Sequence, residues 1–173
     1  MIRTLPALGT VGLLALLSAC ASAPQAPKVP DVLVPAGGRM LEVIGARGVQ
    51  VYQCRAKNGG GTEWVFTAPD ADLTDAKGQP AGRHYAGPHW EARDGSRIQG
   101  TVKSRAEAST PTAIPWLLLT ARSVGPDGRW SKVTSVQRIN TVGGVAPTSG
   151  CDSSKVGTDQ RVPYSADYVL FTS

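Results

Sequence analysis

The densest run of chemically capable side chains is His84, Tyr85, His89, Trp90, Glu91 and Asp94, set around Gly87-Pro88. Imidazoles and carboxylates this close together supply general acid–base chemistry, metal coordination, or the polar contacts of a binding pocket. Spacing bears on each. Side chains two apart share a face of a strand, so His89 and Glu91 fall together, whereas His84 faces the other way unless a turn folds it back. Folded back, the three form a His–His–carboxylate set, but their order matches no standard zinc signature and no metal is assigned. There is no Gly-x-Ser-x-Gly, and a triad of His84, Asp94 and some serine is recognised only by geometry. Glu91 and Asp94 are too ordinary a pair to indicate glycoside cleavage. No residue is therefore given a catalytic role and no cofactor is expected. The plainer expectation is that His84 satisfies buried backbone groups while His89 and Glu91 face water.

The cysteines carry more sharply placed chemistry. Arg3 precedes an apolar run, Val11 to Leu17, far shorter than the ~20 residues that span a bilayer, which predicts a signal peptide over residues 1–19. It ends in Leu17-Ser18-Ala19-Cys20, which resembles the lipobox of bacterial lipoproteins, with Cys20 the lipidated N-terminus after cleavage. Ala21 in place of Asp predicts sorting to the outer membrane, facing the periplasm. The next stretch, rich in Pro and Ala, cannot bury enough surface to fold, and residues 20–37 are expected to be a tether that holds a domain off the membrane. Cys54 and Cys151 remain as an even pair in a compartment that permits disulfides, and are expected to be bonded.

The precursor carries 18 Lys and Arg against 13 Asp and Glu; losing Arg3 with the signal peptide lowers the difference from +5 to +4. No run of basic residues interleaves with aromatics, so a nucleic-acid partner is not expected. The expected partners are the membrane, through the lipid, and a small molecule or another envelope component.

The elements that must position these residues read as strands. Gly and Pro punctuate residues 38–173 about every ten residues, no window keeps a helical period, and Val, Ile, Trp and Tyr dominate the apolar runs. This predicts a single all-β domain of short antiparallel strands, a β-sandwich or a small β-barrel. Ser96 to Lys103 alternates cleanly and follows Asp94-Gly95, a hairpin signal, with His89 to Arg93 as its partner. A second hairpin is expected from Ile114–Ser123 and Arg129–Thr141 through Gly125-Pro126-Asp127-Gly128. Its first arm, Trp116-Leu117-Leu118-Leu119, is apolar on both faces and reads as a central strand. Arg39–Ile44 and Gly48–Arg55 are expected as separate strands about Gly45-Ala46-Arg47, with Thr62–Thr67 next. Tyr164, Ala166, Tyr168 and Leu170 mark one face of a last strand.

From Gly48 onward the chain resembles a bacterial and fungal family defined only as a domain of unknown function, DUF3455. The residues that carry the resemblance are Gly48-Val49-Gln50-Val51-Tyr52-Gln53-Cys54; His84-Tyr85-Ala86-Gly87-Pro88 with Trp90-Glu91 and Asp94-Gly95-Ser96; Ile114-Pro115-Trp116-Leu117-Leu118; and Arg138-Ile139-Asn140-Thr141 through Gly143-Gly144 to Gly150-Cys151. The resemblance implies one compact domain, supports a Cys54–Cys151 bond and implies no activity. Most of the four tryptophans are expected in the core. Guided by the family blocks, Trp90 and Trp116 are the candidates to line a pocket, with His84, Tyr85, Glu91 and Arg138 as further candidate contacts; a salt bridge on the wet face is the plainer expectation for Arg138. The leading expectation is a non-enzymatic envelope lipoprotein that binds a small ligand or envelope component. Its rivals are a hydrolase or metal-dependent enzyme using the His84–Asp94 region, and a structural surface protein.

Overall fold

Strands that alternate apolar and polar side chains must bury one face, and a sheet closed on itself does so without leaving an edge. The computed structural model describes residues 28–173; the segment expected to be a signal peptide, Cys20, and the expected tether as far as Pro27 lie outside the described residues. Eight strands run β1 Arg39–Ala56, β2 Thr62–Thr74, β3 Pro80–Tyr85, β4 His89–Ala92, β5 Arg97–Ala106, β6 Trp116–Ser123, β7 Ser135–Gly143 and β8 Asp159–Thr172. Each pairs antiparallel with the next, and β8 pairs back onto β1 over Arg39↔Thr172 to Gln53↔Asp159, closing a barrel. Of the two expected architectures, the chain adopts the barrel.

The first strand carries that closure. Ile44, Ala46, Gln50, Tyr52 and Cys54 are buried at alternate positions of β1 while its edges bond β2 and β8 together. The expected break at Gly45-Ala46-Arg47 does not occur, because glycine here admits a neighbour and does not end the strand. A Cβ on Gly48 would lie 2.1 Å from the Asp70 carbonyl oxygen and 2.5 Å from the Ala71 Cα, so only glycine lets β2 approach this closely.

Inside the barrel, β4 presents Trp90 and Ala92, β5 Ile98 and Gly100, β6 Leu117 and Leu119, and β8 Tyr164, Ala166, Tyr168 and Leu170. The His89–Arg93 and Ser96–Lys103 hairpin forms as expected, with Trp90 opposite Ile98. The other face of β6 is buried for a different reason. Trp116 and Leu118 lie outside the barrel beneath Leu33, which is wholly buried in the short 3-10 turn Asp31–Leu33. Gln137 fixes that turn by donating to the Leu33 carbonyl at 2.7 Å. The apolar run that reads as a central strand is thus a barrel strand roofed by the segment around Leu33.

The two ends differ. At the end reached by the start of β1, residues 124–134, part of which was expected to be strand, fold inward as a plug. Trp130 is fully buried, and its indole N–H donates to Glu42 Oε1 at 2.6 Å. Its backbone N–H donates to the buried Ser96 hydroxyl, which Asp94 in turn holds at 2.7 Å. Asp94 also accepts from the backbone N–H groups of Arg129 and Ser96, and these three donations, Arg129 first, hold its carboxyl down at about 2. At the opposite end, the long β7–β8 connection lies back against β1 and β2. Cys54 and Cys151 are bonded there, with Cα atoms 5.4 Å apart. Tyr52 donates to the Gly144 carbonyl at 2.6 Å, Thr62 to Cys151 at 2.7 Å and Trp64 to Ser149 at 2.9 Å.

Candidate functional site

The end opposite the Trp130 plug is not filled. A cavity of about 330 Å³ enters the barrel there, lined chiefly by Leu117, Leu119, Trp90, Tyr168, Pro69 and Pro88. Its size falls at the low end of the ~300–1,000 Å³ range of small-molecule sites, and the mix of apolar walls with few polar groups is typical of them. Phe66 and Val102 stand at its rim, each about half exposed although large and apolar.

The lining follows from strand register. His84 lies opposite Trp90 on β3 and β4, and the two rings stack with centroids 4.2 Å apart. Tyr168 meets both rings edge-on, at 5.0 and 5.3 Å. Gly100 makes room for the indole: a Cβ there would lie 2.8 Å from Trp90 Cζ3. Arg138 occupies the middle of a cross-strand row, opposite Leu117 of β6 and Tyr168 of β8. Its guanidinium donates twice to the Pro115 carbonyl, at 3.2 Å from Nε and 2.8 Å from Nη2. Arg138 therefore belongs to the cavity wall and not to a wet face: its cross-strand neighbours are inward-facing, and the β6 side chains that alternate with them lie outside.

Polar chemistry in the cavity is sparse but defined. His84 Nδ1 lies 2.8 Å from the His89 carbonyl oxygen, which only accepts, so Nδ1 carries the ring proton and Nε2 keeps a lone pair. Burial, with smaller contributions from the charges of Arg138 and His89, outweighs that bond and holds the imidazole down to about 3, neutral at ordinary pH. Burial likewise pushes the Tyr164 and Tyr168 phenols up, and Tyr52 with them. Gln50 and Trp90 contribute to the lining, but their side-chain nitrogens are sealed beneath it.

The other sequence candidates are not brought together. Tyr85 and Glu91 lie on the outer face of β3 and β4, where the Tyr85 hydroxyl donates to Glu91 Oε2 at 2.6 Å and Arg97 lies 3.4 Å from both. Trp116 lies under Leu33 and away from the cavity. His89 is turned outward, with Nδ1 2.6 Å from the Ala86 carbonyl, so His84, His89 and Glu91 do not converge. Asp94 serves the plug at the far end and forms no pair with His84. Gln50 and Tyr168 are cavity residues outside the sequence candidates, although a signal exists for Gln50, the polar member of the alternating series Ile44, Ala46, Gln50, Tyr52 on β1.

The buried imidazole predicts a pH effect on stability. With about 3 folded against the ordinary 6.5 unfolded, the unfolded chain binds the extra proton between those values, so stability falls as pH drops through that window. Between pH 6.5 and 5, above the carboxylate range, His84→Gln flattens the decline in denaturation free energy by up to about 1.4 kcal/mol per pH unit. Equal slopes for variant and wild type over that interval contradict a neutral buried His84.

Comparison with known proteins gives one match. No curated protein and no solved structure matches the chain. A family model described as a protein of unknown function, DUF3455, matches residues 35–172, from just before β1 to the end of β8 and so across the whole barrel and its cavity. The chain belongs to the DUF3455 family.

Proposed function

We propose that this is a lipid-anchored envelope protein whose barrel holds a small, largely apolar ligand without transforming it. The observation that carries the reading is the cavity inside the barrel, where largely apolar walls meet a few polar residues, Gln50, His84 and Arg138. Closed eight-stranded barrels have interiors that either fill with side chains or hold one small ligand. Here one end is filled by Trp130 and the other is left open between Phe66 and Val102. A hydrolytic reading needs a nucleophile beside His84, and the aromatic rings that flank the imidazole are Trp90 and Tyr168.

The anchor rests on Leu17-Ser18-Ala19-Cys20 and the Pro-rich stretch that follows. Such a tether lets the cavity stand off from the membrane while the acyl chains keep the protein there. Expression of Cys20→Ser in the native host is expected to move the protein from the membrane fraction to the soluble periplasmic fraction. Retention of that variant in the membrane fraction contradicts lipid anchoring at this residue.

The cavity is tested with a neutral apolar probe. Titration of the domain with 1-octanol should change tryptophan fluorescence saturably, with one site per chain. Leu119→Trp, which fills the cavity from β6, should weaken that binding tenfold or more, and Val102→Trp at the rim should weaken it without disturbing the core. Unchanged affinity in both variants sinks the reading.

A further inference from the structure

Arg138 brings a positive charge into a wall that is otherwise uncharged and mostly apolar, and the described residues supply no counter-charge for it. The carboxylates that pair with arginines among the described residues are Asp70, Glu91 and Glu42, whose partners are Arg83, Arg161, Arg97 and Arg129. Arg138 instead donates two hydrogen bonds to one carbonyl, that of Pro115, which fixes the guanidinium in position and leaves its charge uncompensated. Its cross-strand neighbours on the cavity side are Leu117 and Tyr168. The side chain is part-buried, and the groups on which its charge acts are interior ones: Tyr52, His84, Tyr164 and Tyr168. A cation in such surroundings is ordinarily paired, because desolvation is not offset otherwise.

The other polar residues of the lining, Gln50, Thr67 and His84, are neutral. One guanidinium in an otherwise uncharged site is matched to acceptors on a singly charged group. A doubly charged phosphate monoester would leave a negative charge unbalanced there, whereas a carboxylate is balanced by the single guanidinium and accepts through both oxygens.

We propose that the ligand is a monocarboxylate with an apolar body, its carboxylate against Arg138 and its body between Leu117, Leu119 and the Phe66–Val102 rim. This rests on the cavity reading above and names the ligand's chemical class. No step of bond making or breaking is involved: the protein selects its ligand by charge at one end and by shape at the other. Arg138 is the specificity-determining residue, and a flexible lysine at the same place retains the charge while losing the fixed geometry that the guanidinium gains from Pro115.

The experiment measures dissociation constants at neutral pH for two matched pairs, octanoate with 1-octanol and 4-phenylbutyrate with 4-phenylbutanol. The full domain is used as wild type, Arg138→Gln and Arg138→Lys. The wild type should bind each acid at least tenfold tighter than its alcohol. Arg138→Gln should abolish that preference while leaving the alcohols within about threefold, and Arg138→Lys should keep part of it. Equal affinity for acid and alcohol in the wild type overturns the carboxylate assignment and leaves the cavity reading standing, as does a preference that survives in Arg138→Gln. Binding of none of the four probes overturns both. Should Arg138→Gln not fold, the wild-type comparison and Arg138→Lys still decide the matter.

Discussion

Everything in this domain depends on β1 bonding along both edges. With β2 on one side and β8 on the other, its 18 residues join the first and last strands and convert a meander into a barrel. Closure removes the sheet edges that would otherwise invite association, and forces one face of every strand toward a shared interior. Two consequences follow. Inward positions must be filled or remain void, and any polar group placed there must find a partner inside. The chain meets the first condition at one end with Trp130 and leaves it unmet at the other. The Cys54–Cys151 bond, closing a separation of 97 residues, fixes the β7–β8 connection against β1 and β2. In the chain-entropy model such a bond is worth about 4 kcal/mol, so these strands are held by covalent structure as well as by the sheet.

The interior electrostatics are built around a single cation. Burial keeps His84 neutral and the tyrosine hydroxyls protonated, so Arg138 is the group that brings charge into the cavity wall. The stacked His84–Trp90 pair, crossed by Tyr168, forms a stiff aromatic wall beside it. Rigid walls and a fixed cation lower the ordering cost of holding a ligand, which is the main use of pre-organisation in a small site. Asp94, although near His84 in sequence, is spent on the plug. The sequence cluster from His84 to Asp94 is thereby divided among three places: the interior, the outer face and the far end.

Much of this was legible from residue order. Alternation in Ser96–Lys103 and Tyr164–Leu170 gave strands with the correct buried faces, and the count of cysteines gave the disulfide. Periodicity misled where a neighbour, and not the local pattern, decides the outcome. Gly45 and Gly48 look like breakers but permit close packing of β2 on β1. Trp116 looks like a pocket aromatic, yet its parity on β6 is opposite to that of Leu117, and only the position of Leu33 reveals what covers it. Trp130 looks like a strand residue but is drawn into the barrel end by Glu42, 88 residues away in the chain. Arg138 could be placed inside only through its register with Leu117 and Tyr168, since charge alone argues for the surface. The division of the His84–Asp94 cluster likewise required the hairpin geometry.

The most direct measurement is a set of two-dimensional ¹H–¹⁵N spectra of the domain, recorded through a titration with octanoate and read at the four indole N–H signals. Three of these groups lie elsewhere: Trp130 donates to Glu42, Trp64 to Ser149, and Trp116 lies beneath Leu33. Trp90 lines the cavity without a partner. The account predicts that the Trp90 indole signal moves saturably, while the other three stay nearly fixed. A Trp90 signal that does not move, or shifts confined to Trp64, Trp116 or Trp130, would contradict it.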